Sequence, residues 1–307
     1  VPAFTWVTSA HSAEYAGAKA IFADVDLHTF NLDPQAFAAA VTPRTKAVVV
    51  VHLFGLAACL DELLEIARRH SLHVIEDAAC AVGTTYRGRP VGGFGDLGCF
   101  SFHPRKVITT GEGGMVTTNR KDLADVVACL RNHGASGHPG PAGTSQKPYA
   151  MGAFERLGYN LRLSDIQAAV GVAQMAKLDR LLAERRRIAD RYTAVLRDLP
   201  DIAVPYVPEE CGHTYQSYVI RVVEGKTPRR NAIMERLAER GIQTRPGTHA
   251  VHRLGYYARR YGLRPEQFPN ACLAEDTSIT LPIFPGMSEA DQDRVVETLR
   301  EALHERA

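Results

Sequence analysis

Ala47-Val48-Val49-Val50-Val51 is an unbroken apolar run, and it constrains the fold more than any other stretch of the chain. A strand with one face in water alternates apolar and polar residues, whereas a run without alternation needs cover on both faces. Sheets covered on both faces are parallel or mixed and carry helices on each side. The surrounding residues supply those helices. Asp33-Pro34 reads as an N-cap followed by a first-turn proline, residues 60–70 keep helical spacing, and strands are expected over 18–24, 46–52, 72–76, 97–102 and 115–118. The rhythm is β-α-β, so residues 1–199 are expected to form a large α/β domain around a mixed, mostly parallel sheet.

A second unit is expected over residues 200–307. Ser164-Asp165-Ile166-Gln167 is a capping box. Ile166, Val170, Leu178, Leu181, Ile188, Tyr192 and Leu196 then keep helical spacing, which predicts one long helix bridging into the remainder. A strand from Tyr218, a helix over 229–240, another strand and a closing helix from Ser288 make a smaller α+β domain. Residues 131–158 are rich in Gly, Pro, His and Ser, with Pro139-Gly140-Pro141 among them, and exceed the usual loop length of about 4–6 residues.

Composition narrows the function classes. Of 307 residues, 45% are apolar and 23% charged, ordinary values for a globular enzyme rather than a disordered chain. A net charge of +2 leaves no basic excess for nucleic acid, and Arg185-Arg186-Arg187 reads as a solvated helix face. The six cysteines show no CxxC spacing, which favours reduced thiols and the cytoplasm. No apolar run approaches the roughly 20 residues that cross a bilayer, and no signal peptide is recognisable. The chain opens at Val1-Pro2-Ala3-Phe4-Thr5-Trp6 like the exit of a strand, so a preceding N-terminal portion is expected. Gly93-Phe94-Gly95-Asp96-Leu97-Gly98 fits GxGxxG but leads into a strand instead of opening a helix, which excludes a dinucleotide site. His249 with His252, and His133 with His138, lack completing ligands, so no metal is expected.

Two residues carry the chemistry. Lys106 follows the apolar strand Gly98–Phe102 and precedes Thr109-Thr110-Gly111-Glu112-Gly113-Gly114, whose glycines allow close backbone approach to a ligand. A lysine held there can lose its proton and form an imine with a carbonyl. Asp77 ends the strand Val74-Ile75-Glu76, where it serves either as a helix N-cap or as a carboxylate for a cofactor ring nitrogen.

Glu76-Asp77-Ala78-Ala79, Gly83-Thr84-Thr85-Tyr86-Arg87-Gly88-Arg89, Phe100-Ser101-Phe102-His103-Pro104-Arg105-Lys106, Gly111-Glu112-Gly113-Gly114 and Gly158-Tyr159-Asn160-Leu161-Arg162 together resemble the DegT/StrS sugar aminotransferases. These are fold type I enzymes that use pyridoxal 5'-phosphate (PLP), and the resemblance runs from Phe4 to Pro285. It implies that Lys106 holds PLP as an internal aldimine, that Asp77 pairs with the pyridinium, that Ser101 binds the phosphate and that Trp6 stacks on the ring. It further implies a homodimer with shared active sites, into which Asn160 and Arg162 reach from the neighbouring subunit. Arg245 and His249 correspond to a stretch lining the substrate entrance, and the loop near His138 is expected to shape the same pocket. Two departures stand out. Cys80 occupies a position where relatives carry Gln or His for the cofactor's phenolic oxygen, and the Gly-Thr turn that holds the phosphate in relatives is expected before Val1. The implied activity is ping-pong transfer of an amino group from glutamate or glutamine to a nucleotide-linked keto-sugar. Alternatives are a cyclitol-ketone aminotransferase, a sugar dehydratase, against which Lys106 argues because dehydratases carry histidine there, and a catalytically silent binding protein.

Overall fold

The computed structural model describes residues 1–136, 152–223 and 227–304. His138 and Pro139-Gly140-Pro141 lie outside the described residues. The chain opens with β1 (Phe4–Thr5) and α1 (Thr8–Tyr15). Helix α2 (Pro34–Ala40) starts where the sequence predicts, with Asp33 accepting the Ala36 amide at 2.7 Å and Pro34 in the first turn. There follow β2 (Ala47–Val51), α3 (Leu60–Arg69), β3 (His73–Asp77), β4 (Leu97–Ser101), β5 (Gly114–Thr117) and α4 (Lys121–Leu130).

These strands form one sheet in the order β2-β3-β4-β5, parallel except for the antiparallel pair β4 and β5. The sheet is mixed and mostly parallel, as the apolar run requires. Val51 lies opposite Asp77, and Asp77 opposite Cys99, so the carboxyl ends of β2, β3 and β4 reach a common edge. Open sheets of this kind bind ligands in the crevice beyond that edge. Residues 18–24 differ from expectation. They meet the first residues of the chain through one parallel bridge, Pro2 to Ala23, supported by Ala23 N–H to Val1 O at 3.0 Å and Ala3 N–H to Ala23 O at 2.8 Å. One bridge is extended chain, not a ladder.

Helix α5 (Asp165–Met175) carries the predicted capping box, with Ser164 and Gln167 bonded reciprocally. The expected single long helix breaks after it. Lys177, at φ −101° and ψ −4°, leaves helical geometry before α6 (Leu178–Leu196). Apolar spacing continues across the break because the two helices serve different surfaces: α5 buries no side chain, whereas α6 buries Leu181, Ile188, Tyr192 and Leu196.

Toward the C-terminal side follow β6 (Ile202–Ala203), β7 (Tyr218–Val222), α7 (Thr227–Glu239), β8 (His249–Ala250), α8 (Gly255–Tyr261), α9 (Pro269–Thr277), β9 (Ser278–Leu281) and α10 (Glu289–His304). Strands β6, β7 and β9 form an antiparallel sheet. Ile220 and Ile279 of that sheet pack with Ile188 of α6, Ile233 of α7 and Leu299 of α10. Strand β8 pairs instead with β1, Thr5 opposite His249. Phe4, Phe22, Phe54, Val251, Tyr257 and Phe268 accordingly share one core. Among the described residues, no helix is long and apolar enough to cross a membrane.

Candidate active site

Strand β3 ends in two carboxylates that alternate in direction. Glu76 points inward and is fully buried. Its oxygens accept from the amides of Gly92, Phe94 and Gly95, each at 2.7 Å, and from His52 Nε2 at 3.0 Å. His52 Nδ1 accepts the Ala58 amide at 3.1 Å, which places the ring proton on Nε2 and makes the histidine a donor to Glu76. Burial alone would raise the Glu76 pKa, but the His52 bond and the backbone amides outweigh it and hold the group below the ordinary carboxylate range. The Gly-rich stretch that mimics a dinucleotide motif is therefore an anion cradle for the protein's own carboxylate. Gly95 is required there, since a Cβ would meet the Val74 carbonyl oxygen at 2.7 Å.

Asp77 faces the crevice and is half-buried. Ser9, buried on α1, donates to Asp77 Oδ2 at 2.6 Å, and the Ala79 amide donates to Oδ1 at 3.2 Å. Thr5 Oγ1 lies 3.2 Å behind Ser9 Oγ. Asp77 is thus no N-cap of a regular helix; it is a carboxylate held by a hydroxyl from a distant element, with acceptor capacity left over.

Between β4 and β5 the chain makes an excursion closed at its base by Phe102 N–H to Gly113 O at 2.9 Å and Thr110 N–H to Phe102 O at 3.0 Å. Gly113, at φ +153°, has no room for a Cβ, which would meet Thr110 Oγ1 at 2.6 Å. Lys106 sits in this excursion, half-buried, with its amide bonded to His103 O at 2.9 Å. Its Nζ reaches Cys80 Sγ at 3.1 Å. Cys80 follows Asp77 by three residues, so the amine and the carboxylate line one crevice. Ser101 ends β4 opposite Gly114, and its hydroxyl accepts the His103 amide at 3.4 Å.

The other expected residues divide into two groups. Trp6 is 58% exposed at the rim. The β1-β8 pairing brings its ring to 5.5 Å from that of His249, and Arg245 Nη2 lies 3.4 Å from Ser217 Oγ. Asn160 and Arg162 are exposed and turn toward Asn132: Asn160 bridges it through the backbone, and Arg162 Nη1 donates to its Oδ1 at 2.9 Å. Ser9 was not legible in the sequence, because nothing local marks a serine on a short helix as the partner of an aspartate 68 residues away. Arg185 departs from the solvated-face reading. It is buried, and its Nη1 donates to Tyr215 O at 3.0 Å, while Arg187 of the same triplet is exposed.

The donor set fits PLP. An amine, a carboxylate and a hydroxyl, the groups that suit its aldehyde, ring nitrogen and phosphate, stand at one sheet edge, and an exposed indole, Trp6, lies on the neighbouring β1-β8 pair. Comparison with known proteins agrees. Residues 1–300 match the sequence model of the DegT/DnrJ/EryC1/StrS aminotransferase family. GDP-perosamine synthase of Caulobacter vibrioides is 40% identical over 304 residues, covering 99% of this chain and 78% of that protein. A sugar aminotransferase of Streptococcus pneumoniae in its PLP form superposes with a TM-score of 0.89 at 25% identity, over 98% of this chain and 79% of that one. DesV of S. venezuelae gives 0.87 at 33% identity, over 100% and 78%.

Proposed function

This chain belongs to the DegT/DnrJ/EryC1/StrS aminotransferase family and is a PLP-dependent sugar aminotransferase; on that premise we propose that it moves an amino group from glutamate or glutamine to a nucleotide-linked keto-sugar. The observation that carries the reading is the Lys106 amine, held beside Cys80 in the crevice that Asp77 ends. PLP supplies an electron sink and a temporary store for the amino group. Lys106 provides the amine that binds it and, once released, a base at Nζ that moves a proton. Asp77, oriented by Ser9, presents a carboxylate to the ring nitrogen and favours its protonated form. Ser101 would offer its hydroxyl to the phosphate and Trp6 an apolar face to the ring, while Cys80 lies against the lysine rather than providing the strong donor of relatives. Because donor and acceptor use one pocket in turn, the kinetics are ping-pong.

Arg245 and His249, on the Trp6 side of the crevice, face the acceptor. The working unit in this proposal is a homodimer with shared sites. Ile166, Val170, Val172 and Met175 on α5 are 81%, 44%, 72% and 51% exposed, and Leu157 and Leu161 beside Asn160 and Arg162 are 92% and 68% exposed. Apolar surface of that extent calls for a partner, and a second copy would bring Asn160 and Arg162 toward a lysine pocket not their own. The proposal includes a large domain over 1–199, a small one over 200–307 and a cytoplasmic setting, which the six free cysteines support. Replacing Lys106 by Ala tests the core of it. Multiple turnover should be abolished and the visible PLP absorption band altered, and glutamate should bleach that band in the wild type only. Normal turnover by Lys106→Ala would overturn the reading.

A further inference from the structure

Near its tip, the Lys106 excursion is anchored by a residue from far along the chain. The Gln216 side-chain amide donates to the Arg105 carbonyl oxygen at 2.6 Å, across 111 positions. That carbonyl shares a planar peptide unit with the Lys106 amide, so holding it fixes the direction in which Lys106 leaves the turn. The remaining backbone bonds of residues 103–106 are internal to the excursion or its base: Lys106 N–H to His103 O, Arg105 N–H to His103 Nδ1 at 3.2 Å, and His103 N–H to Ser101 Oγ. Among the described residues, the Gln216 bond ties this backbone to the rest of the protein.

Gln216 is itself held by groups that have no other evident task. Tyr215 and Phe54 adopt φ values of +48° and +59°, which L-residues rarely take. The two segments meet through Ser217 N–H to Phe54 O at 3.3 Å and Thr214 N–H to Gly55 O at 3.0 Å. From the other side, Arg185 on α6 directs Nη1 to the carbonyls of Tyr215 at 3.0 Å, Gln216 at 3.5 Å and Ile283 at 3.5 Å. Among the described residues, its Nε has no partner and no carboxylate bonds it. A buried guanidinium without a counter-charge is costly, and here its donors fix the two carbonyls that flank the clamp.

We propose that Gln216 is a positioning residue for Lys106: its amide, braced by Arg185, sets the turn at Arg105 and with it the place of the lysine amine in the crevice. The inference rests on Lys106 being the lysine that binds PLP. Gln216→Met keeps the side-chain bulk and removes the donor, and Gln216→Glu keeps length and polarity while offering no donor at neutral pH. PLP dissociation constants are measured for wild type, Gln216→Met, Gln216→Glu, Lys106→Ala and the double variant Gln216→Met/Lys106→Ala. Each Gln216 variant alone should bind PLP about fivefold more weakly, the effect of one hydrogen bond. Adding Gln216→Met to Lys106→Ala should cost nothing further, because the amine it places is gone. A purely structural role would weaken PLP equally in both backgrounds, and that outcome overturns the proposal. Unchanged PLP binding in the Gln216 variants overturns it too, whatever their melting temperatures. Absence of borohydride-trapped PLP on Lys106 in the wild type would overturn the reading of Lys106 itself, and the clamp with it.

Discussion

Glu76 and Asp77 are neighbours on β3 and carry the same charge, yet Glu76 is fully buried under four N–H donors while Asp77 stays half-buried with two donors, one hydroxyl and one amide. A carboxylate has about four lone-pair sites. Glu76 has used all of its capacity on the protein, which makes it a fastening between β3, β2 and the Gly92–Gly95 turn. Asp77 has capacity left for one more partner, and it faces the crevice that holds Lys106. Strand alternation sends one acid into the protein and the other toward the crevice, and the count of satisfied lone pairs tells them apart.

That contrast breaks if Asp77 proves to be a second fastening. Asp77→Asn should lower turnover by about 10² to 10⁴-fold, the range for a group that tunes proton chemistry, while changing unfolding free energy by under about 1 kcal/mol; denaturant melts and steady-state rates on one preparation decide it. Glu76→Gln should do the reverse. Leaving buried donors mispaired costs about 3 kcal/mol, but the protein that remains folded should turn over at nearly the wild-type rate. The same exchange sharpens the pH dependence. The folded-state pKa of Glu76 is depressed, so its contribution is present above the ordinary glutamate value of about 4.3 and is lost as pH falls through the lower folded value. Wild-type stability should therefore decline as pH falls from about 4.3 to the lower folded value, and Glu76→Gln should remove part of that slope. The smallest effect is expected for Ser9→Ala, which deletes one hydrogen bond to Asp77: about fivefold in turnover, with little change in melting temperature.

The parallel sheet was legible because a run such as Val48–Val51 has few alternatives, and the place of Lys106 and Asp77 at one sheet edge was legible because strand ends put their residues there. Tertiary choices were not. The break at Lys177 leaves apolar spacing intact on both sides, so periodicity passes over it. Arg185 looked solvated because its two neighbours are arginines, and only the fold reveals that its face of α6 packs over the carbonyls of Tyr215 and Gln216. Ser9 and Gln216 act across 68 and 111 positions, distances at which a single sequence carries no pairing signal. The GxGxxG stretch was set aside on its context, and that its amides hold Glu76 emerged from the hydrogen bonds alone.

The joining of β1 to β8 has a consequence in time. His11 of α1 bonds Tyr257 at 2.7 Å across 246 positions, close to the pairing that sets Trp6 against His249. At a synthesis rate of about 5–20 residues per second, roughly 12 to 50 seconds pass between the appearance of the two sides on the ribosome. Until then the β1 edge is unpaired and Phe4 lacks the packing that Val251, Tyr257 and Phe268 supply to their shared core. The sheet edge bearing Asp77 and Lys106 can form early, whereas the Trp6 rim is a later event that waits for the segment carrying His249 and Tyr257 to be made.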